Sequence, residues 1–190
     1  AIDKYKKANG KCPDVLFLEN HGIFYAADTL EGIDAIVSDV MAKIEAKIVR
    51  KPDFSEVEFD KKLAAQIAPA IRMLYSDEMT TVTFTANKEI LNLAKDTKSF
   101  APLAKSYSPD HIVYCKAYPL FVKQGKTVED TYKAIEKGIA DSKAKYGYAP
   151  KIVFVQNLGM FSIGTTKKNA DTTAEVFTDM MKIAVYAESF

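Results

Sequence analysis

Apolar positions along the chain follow two rhythms. Short apolar runs stand at Val15–Leu18, Ile23–Ala26, Ile152–Val155 and Met160–Ile163, and Thr81–Thr85 alternates polar and apolar. Runs this short, bounded by turn residues, predict strands. The other rhythm is helical. Leu30, Ile33, Ile36, Val37, Val40, Met41, Ile44 and Ile48 recur at three- and four-residue spacing behind an Asp28-Thr29 cap. They predict an amphipathic helix of about 20 residues. Leu63, Ile67, Ile71 and Leu74 trace a second stripe, in which Pro69 predicts a kink or a helix that begins later than the pattern. Asn87 caps a short helix carrying Ile90, Leu91 and Leu93, and Thr127 with Asp130 opens another with Val128, Tyr132, Ile135 and Ile139 on one face. Ala170, Ala174, Phe177, Met181 and Ala184 mark the last helix. Arg50–Phe59 is charged, carries Pro52 and reads as a linker or surface loop. Ser106–Asp110 reads as a turn and His111–Tyr114 as a strand, resumed after Pro119 by Leu120–Val122. Strands and helices alternate, which predicts an α/β fold: a layered sheet with flanking helices in a single unit over 1–190.

One stretch recurs. Val15–Thr29 aligns with Ile152–Thr166, matching Phe17 to Phe154, Asn20 to Asn157, Gly22 to Gly159, Phe24 to Phe161 and Thr29 to Thr166. Each copy precedes a helix, so two similar strand-turn-strand-helix units are expected at about 13–50 and 150–190. The first copy has His21 where the second has Leu158.

Composition narrows the chemistry. The 190 residues carry 26 Lys+Arg and 25 Asp+Glu, a net charge of +1. Such a balance gives no electrostatic footprint for nucleic acid or for an anionic membrane. No apolar run approaches the ~18 residues of a membrane span, and no signal-peptide pattern opens the sequence, so a cytoplasmic location is expected. Cys12 and Cys115 make neither a disulfide framework nor a CxxC site. Cys115 reads as an inert core thiol, and Gly159 and Gly164 as turn glycines with positive φ. There are two histidines, His21 and His111. A catalytic zinc site needs about three protein ligands and an open position, which these two could complete only with carboxylates.

Phe17-Leu-Glu-Asn-His-Gly-Ile-Phe-Tyr-Ala-Ala-Asp-Thr29 resembles the Asn-His-Gly signature of the class II aldolase/adducin family. Ser108–Lys116 with Pro119–Val122, and Ile152–Gly164 with the helix ending Ala187-Glu-Ser189, resemble one branch of it. That branch comprises bifunctional proteins with a rhamnulose-1-phosphate aldolase-like domain ahead of a short-chain dehydrogenase domain. The similarity spans about residues 12–189, and no Gly-rich nucleotide fingerprint occurs in it.

The resemblance implies a metal-dependent lyase that cleaves a ketose phosphate by a retro-aldol step, with Zn²⁺ stabilising the enediolate. It implies His21 as a zinc ligand, since a turn histidine that otherwise bonds only its own loop here sits inside the signature. The family's other ligands, a His-x-His pair and usually a Glu, precede the signature, and this sequence has no His-x-His. The chain is therefore expected to be the later part of a larger aldolase-like domain, inactive alone and holding zinc weakly or not at all. Glu19, on one strand face with His21, and Asn20, Gly22 and His111 are the expected substrate contacts. His111 also reads as part of a turn in which Ser108 or Asp110 bonds backbone amides, and Lys116 as a solvated lysine. A small-molecule sugar phosphate is the expected partner, and a homo-oligomer is allowed. Two other readings stand beside this one: a non-catalytic adducin-like module for binding or oligomer assembly, and a small-molecule binding domain.

Overall fold

The computed structural model describes residues 1–19, 21–75 and 80–190. Helix α1 (Ile2–Asn9) precedes strands β1 (Val15–Leu18) and β2 (Gly22–Tyr25), then helix α2 (Leu30–Glu45). Next come α3 (Lys61–Met73), β3 (Thr81–Thr85), α4 (Lys88–Leu93), α5 (Thr97–Phe100) and a 3-10 turn at Ala101–Leu103. The remainder is α6 (Pro109–Cys115), β4 (Leu120–Val122), α7 (Val128–Tyr146), β5 (Ile152–Val155), β6 (Gly159–Gly164) and α8 (Lys167–Ala187). The chain forms two compact units: Ala1–Arg50 with Ser189–Phe190, and Lys51–Glu188.

The second unit is built on a four-stranded sheet of order β3-β6-β5-β4, in which only the β4–β5 pair is parallel. All residues of β5 and β6 are buried. That follows from their nearly unbroken apolar sequences, which suit strands covered on both faces. On one face Ile152, Phe154 and Met160 meet Phe177, Met180 and Met181 of α8. On the other, Val153, Val155, Phe161 and Ile163 meet Leu63, Ile67 and Ile71 of α3 and Ile135 and Ile139 of α7. Each such side chain removed from water contributes roughly 1.5–3 kcal/mol, so the layering follows from the apolar alternation along two strands. The segment before α3 is irregular yet pinned: Asp53 N–H donates to the buried Glu89 carboxylate at 3.0 Å, and Glu89 N–H donates to the Asp53 carbonyl at 2.9 Å.

Local signals set the helix ends. Thr29, Asp60, Asn87, Ser108, Thr127 and Thr166 each accept a backbone N–H from the first turn of their helix. Helix α3 runs on through Pro69, whose orphaned acceptor, the Ala65 carbonyl, lies on the exposed face where water can reach it. The expected strand at His111–Tyr114 is a helix instead. Ser108 as cap, Pro109 at the first helical position and Asp110 in the first turn form a start signal that overrides the β-branched Ile112-Val113. His111 and Cys115, four apart, are its buried residues, while Ile112, Val113 and Tyr114 are exposed.

In the first unit β1 and β2 pair antiparallel from Val15↔Tyr25 to Leu18↔Gly22. β5 and β6 pair from Ile152↔Ser162 to Val155↔Gly159. No described residue of the first unit is fully buried, and Phe17 and Phe24 are 62% and 57% exposed. Helix α2 is 16 residues long and its Ile33, Ile36, Val37, Val40 and Ile44 stripe is only half-buried. The stripe fixes the helix, and the unit contains too little apolar material to cover it.

Of the two glycines expected in turns, Gly159 has φ +152 whereas Gly164 does not have positive φ. Gly164 is required by contact: a Cβ there would lie 2.3 Å from Ala170 N and 2.7 Å from Asn169 C at the start of α8. Because those atoms are helix backbone, Gly164→Ala is expected to destabilise the second unit by about 2–3 kcal/mol in urea unfolding. A wild-type midpoint would show that α8 does not press on β6 there.

Candidate functional site

The signature histidine sits on an open turn. Strand β1 ends at Leu18, so Glu19 and His21 belong to the turn and the expected shared strand face does not form. Both side chains are exposed, and His21 N–H donates to the Leu18 carbonyl at 3.2 Å. Gly22 has φ +154 with open space where a Cβ would point, so it serves the backbone path and leaves room beside His21. Asn20 lies outside the described residues.

His111 belongs to the second unit and is 5% exposed. Ser108 ties it at two points: its Oγ accepts the His111 N–H at 3.3 Å and lies 3.1 Å from the ring Nδ1. Tyr107 meets the imidazole edge-on. Burial holds the His111 pKa below its usual 6.5, against the smaller opposing pull of Asp179 and Asp110. It is therefore a neutral histidine on a helix, held by the side chain that caps that helix. Cys115, one turn on, is buried and donates its S–H to the Thr173 carbonyl at 3.4 Å. Burial pushes its thiol up to about 12, which leaves it protonated and unreactive.

Polar groups gather between β3 and α8. A groove of about 480 Å³ is lined by Thr83, Thr85, Lys167, Asp171, Glu175 and Thr178 among others. Thr83 pairs with Ser162 across the β3–β6 ladder, and the Oγ atoms of both are buried without a partner among the described residues. Buried hydroxyls left unpaired are costly, and the groove above them is lined by the Asp171 and Glu175 carboxylates and the Thr178 side chain of α8. Neither strand alternation nor helix spacing signals this groove, because it arises from a strand and a helix far apart in sequence.

Among the described residues no group of three His, Cys, Asp or Glu side chains could hold a metal ion. His21 alone does not fit a catalytic zinc, which needs about three protein ligands. Among the described residues no helix is long and apolar enough to cross a membrane.

Residues 62–148 match the family model described as aldolase class II, second domain. The matched stretch runs from the first turn of α3 to just beyond α7. It includes the Ser108–Lys116 segment and leaves out both hairpins. This match supports an aldolase-like domain related to the class II aldolases. No curated protein and no solved structure matches the chain.

The buried histidine yields a pH prediction. Its folded pKa lies below the unfolded one, so the stability involved is fully present above pH 6.5 and is lost as pH falls from there through the folded pKa. His111→Gln removes this dependence. Thermal melts at pH 7.5 and pH 5.0 are expected to show a larger drop for wild type than for the variant. Equal drops would place the His111 ring in solvent.

Proposed function

We propose that this chain supplies part of a class II sugar-phosphate aldolase of the rhamnulose-1-phosphate type. In this reading the parent protein cleaves the carbon–carbon bond of a ketose phosphate. The observation that carries it is the family match over α3 to α7. The β1–β2 hairpin supports it. With Asn20 set against Asn157 it has the same pairing register as β5–β6, Val15↔Tyr25 beside Ile152↔Ser162. Thr29 and Thr166 also cap the helices that follow with nearly the same backbone angles. The two hairpins are variants of one unit, and His21 is the chemical difference between them.

His21 is one zinc ligand in this reading, and the other ligands come from outside the described residues. Zinc would supply Lewis-acid stabilisation of the charge left on the cleaved fragment. Gly22, with no side chain, and Glu19, a free-standing acceptor on the same turn, frame the position beside His21. The chain alone is inactive for lack of a full ligand set.

A second reading is a non-catalytic adducin-like module. The half-covered apolar stripe of α2 favours it, since such a surface suits assembly.

Assay of the full-length natural protein that carries this sequence separates the two. It is expected to bind zinc and to release dihydroxyacetone phosphate from rhamnulose 1-phosphate. His21→Ala is expected to lower zinc affinity by more than the ~10–100-fold that loss of a supporting residue costs. His111→Ala is expected to leave zinc affinity unchanged. A full-length protein without zinc or lyase activity overturns the aldolase reading and leaves the module.

A further inference from the structure

Several lysines on the helices of this chain sit beside an acid. Lys43, Lys133, Lys137 and Lys167 each pair with a carboxylate four residues away. A different arrangement occurs where the chain enters the two parallel strands. Lys116 ends α6 four residues before β4, and Lys151 stands directly before β5. Both are half-buried, and among the described residues neither forms an ion pair with a carboxylate. The Lys116 ammonium lies 5.3 Å from the centre of the Tyr148 ring, and Lys145 lies 4.9 Å from that of Tyr146. Tyr118 stacks on Tyr146 with ring centres 4.0 Å apart, and Tyr146 lies 6.2 Å from Tyr148. Two lysines thus lie over a stack of three tyrosines, and Lys151 is near enough to Lys116 for the two charges to interact.

Lys116 is held in an unfavourable backbone state. Its φ of 65 with ψ of 164 falls in a region that glycine alone visits readily, at a cost of order 1–3 kcal/mol. Three hydrogen bonds fix the segment there. Lys116 N–H donates to Ile112 O at 3.0 Å, Ser106 Oγ–H donates to Lys116 O at 2.9 Å, and Ser106 N–H donates to Ala117 O at 3.1 Å. Backbone of this shape ordinarily carries glycine. Here a lysine takes the position, with its ammonium over the Tyr148 ring. Burial, and after it the charge of Lys116, hold the Lys151 amine below its ordinary pKa, as befits two neighbouring cations lacking a counter-ion. The C-terminal pole of α7 offers only about half an elementary negative charge against them.

We infer that the Lys116, Lys145 and Lys151 ammoniums and the Tyr118–Tyr146–Tyr148 stack form a binding site for the phosphate group of a small molecule. Lysines meet phosphate as mobile point charges without the planar geometry arginine imposes, and the tyrosine hydroxyls supply further donors. The Tyr148 ring also holds Lys116 in place by cation–π attraction. The inference does not rest on the aldolase reading: it involves neither His21 nor zinc, and it survives if the lyase assay fails.

Titration with inorganic phosphate and, in parallel, with glycerol 3-phosphate tests it, against chloride at matched ionic strength. Saturable shifts are expected at the tyrosine rings and at the Lys116 and Lys151 ε-resonances. Tighter binding of the monoester identifies an organic phosphate as the ligand, and equal binding identifies the free ion; each supports the site. Lys151→Met is expected to weaken binding at least about tenfold. Lys116→Gly relieves the backbone strain, so it is expected to raise Tm by about 2–4 °C while weakening binding by a similar factor. Shifts that do not saturate, or that appear equally at the solvated Lys137, overturn the proposal. So does Lys116→Gly with undiminished affinity.

Discussion

The second unit depends on one constraint: β5 and β6 must be buried on both faces at once. Their side chains alternate between two packing partners, α8 on one side and α3 with α7 on the other. Everything else in that unit serves this arrangement. Gly164 has no side chain because α8 begins against it. Glu89 ties the irregular stretch before α3 to the start of α4, completing the covering of the sheet. Because interiors pack at crystal-like density, a one-atom change at such contacts is felt across the layer.

The first unit obeys the same local rules without the same reward. Its hairpin has the register of β5–β6 and its helix has a threonine cap, yet none of its described residues is fully buried. The chemistry implied by the Asn-His-Gly turn is thus carried on the less covered unit, while the family match falls on the well-packed one. Catalytic geometry needs side chains held by packed surroundings. A hairpin with Phe17 and Phe24 exposed supplies that rigidity only when something further packs against it.

Much of the fold was legible because local signals and global packing agree. The stripes at Leu63–Leu74 and Val128–Ile139 became helices, and Ile152–Val155 and Met160–Ile163 became the central strands. At His111–Tyr114 the apolar, β-branched run pointed to a strand, and the Ser-Pro-Asp start ahead of it prevailed. Four residues are too few for periodicity to decide, and cap chemistry sets the outcome. The site was less legible. His21 could be singled out by its motif, but its exposure depends on where β1 stops. The lysine–tyrosine cluster gave no sequence signal beyond a lysine where a helix-ending glycine is usual, since its members meet only through the parallel pairing of β4 and β5. Thr83 and Ser162 were likewise hidden until the β3–β6 register placed them opposite each other.

Stability resides in the β5–β6 sandwich, and no described residue of the His21 hairpin is fully buried. Native-state hydrogen exchange measures this directly. Amides of β5 and β6 are expected to exchange only through global unfolding, and those of β1 and β2 at least ~100-fold faster through local opening. Equal protection of the two hairpins would contradict the account.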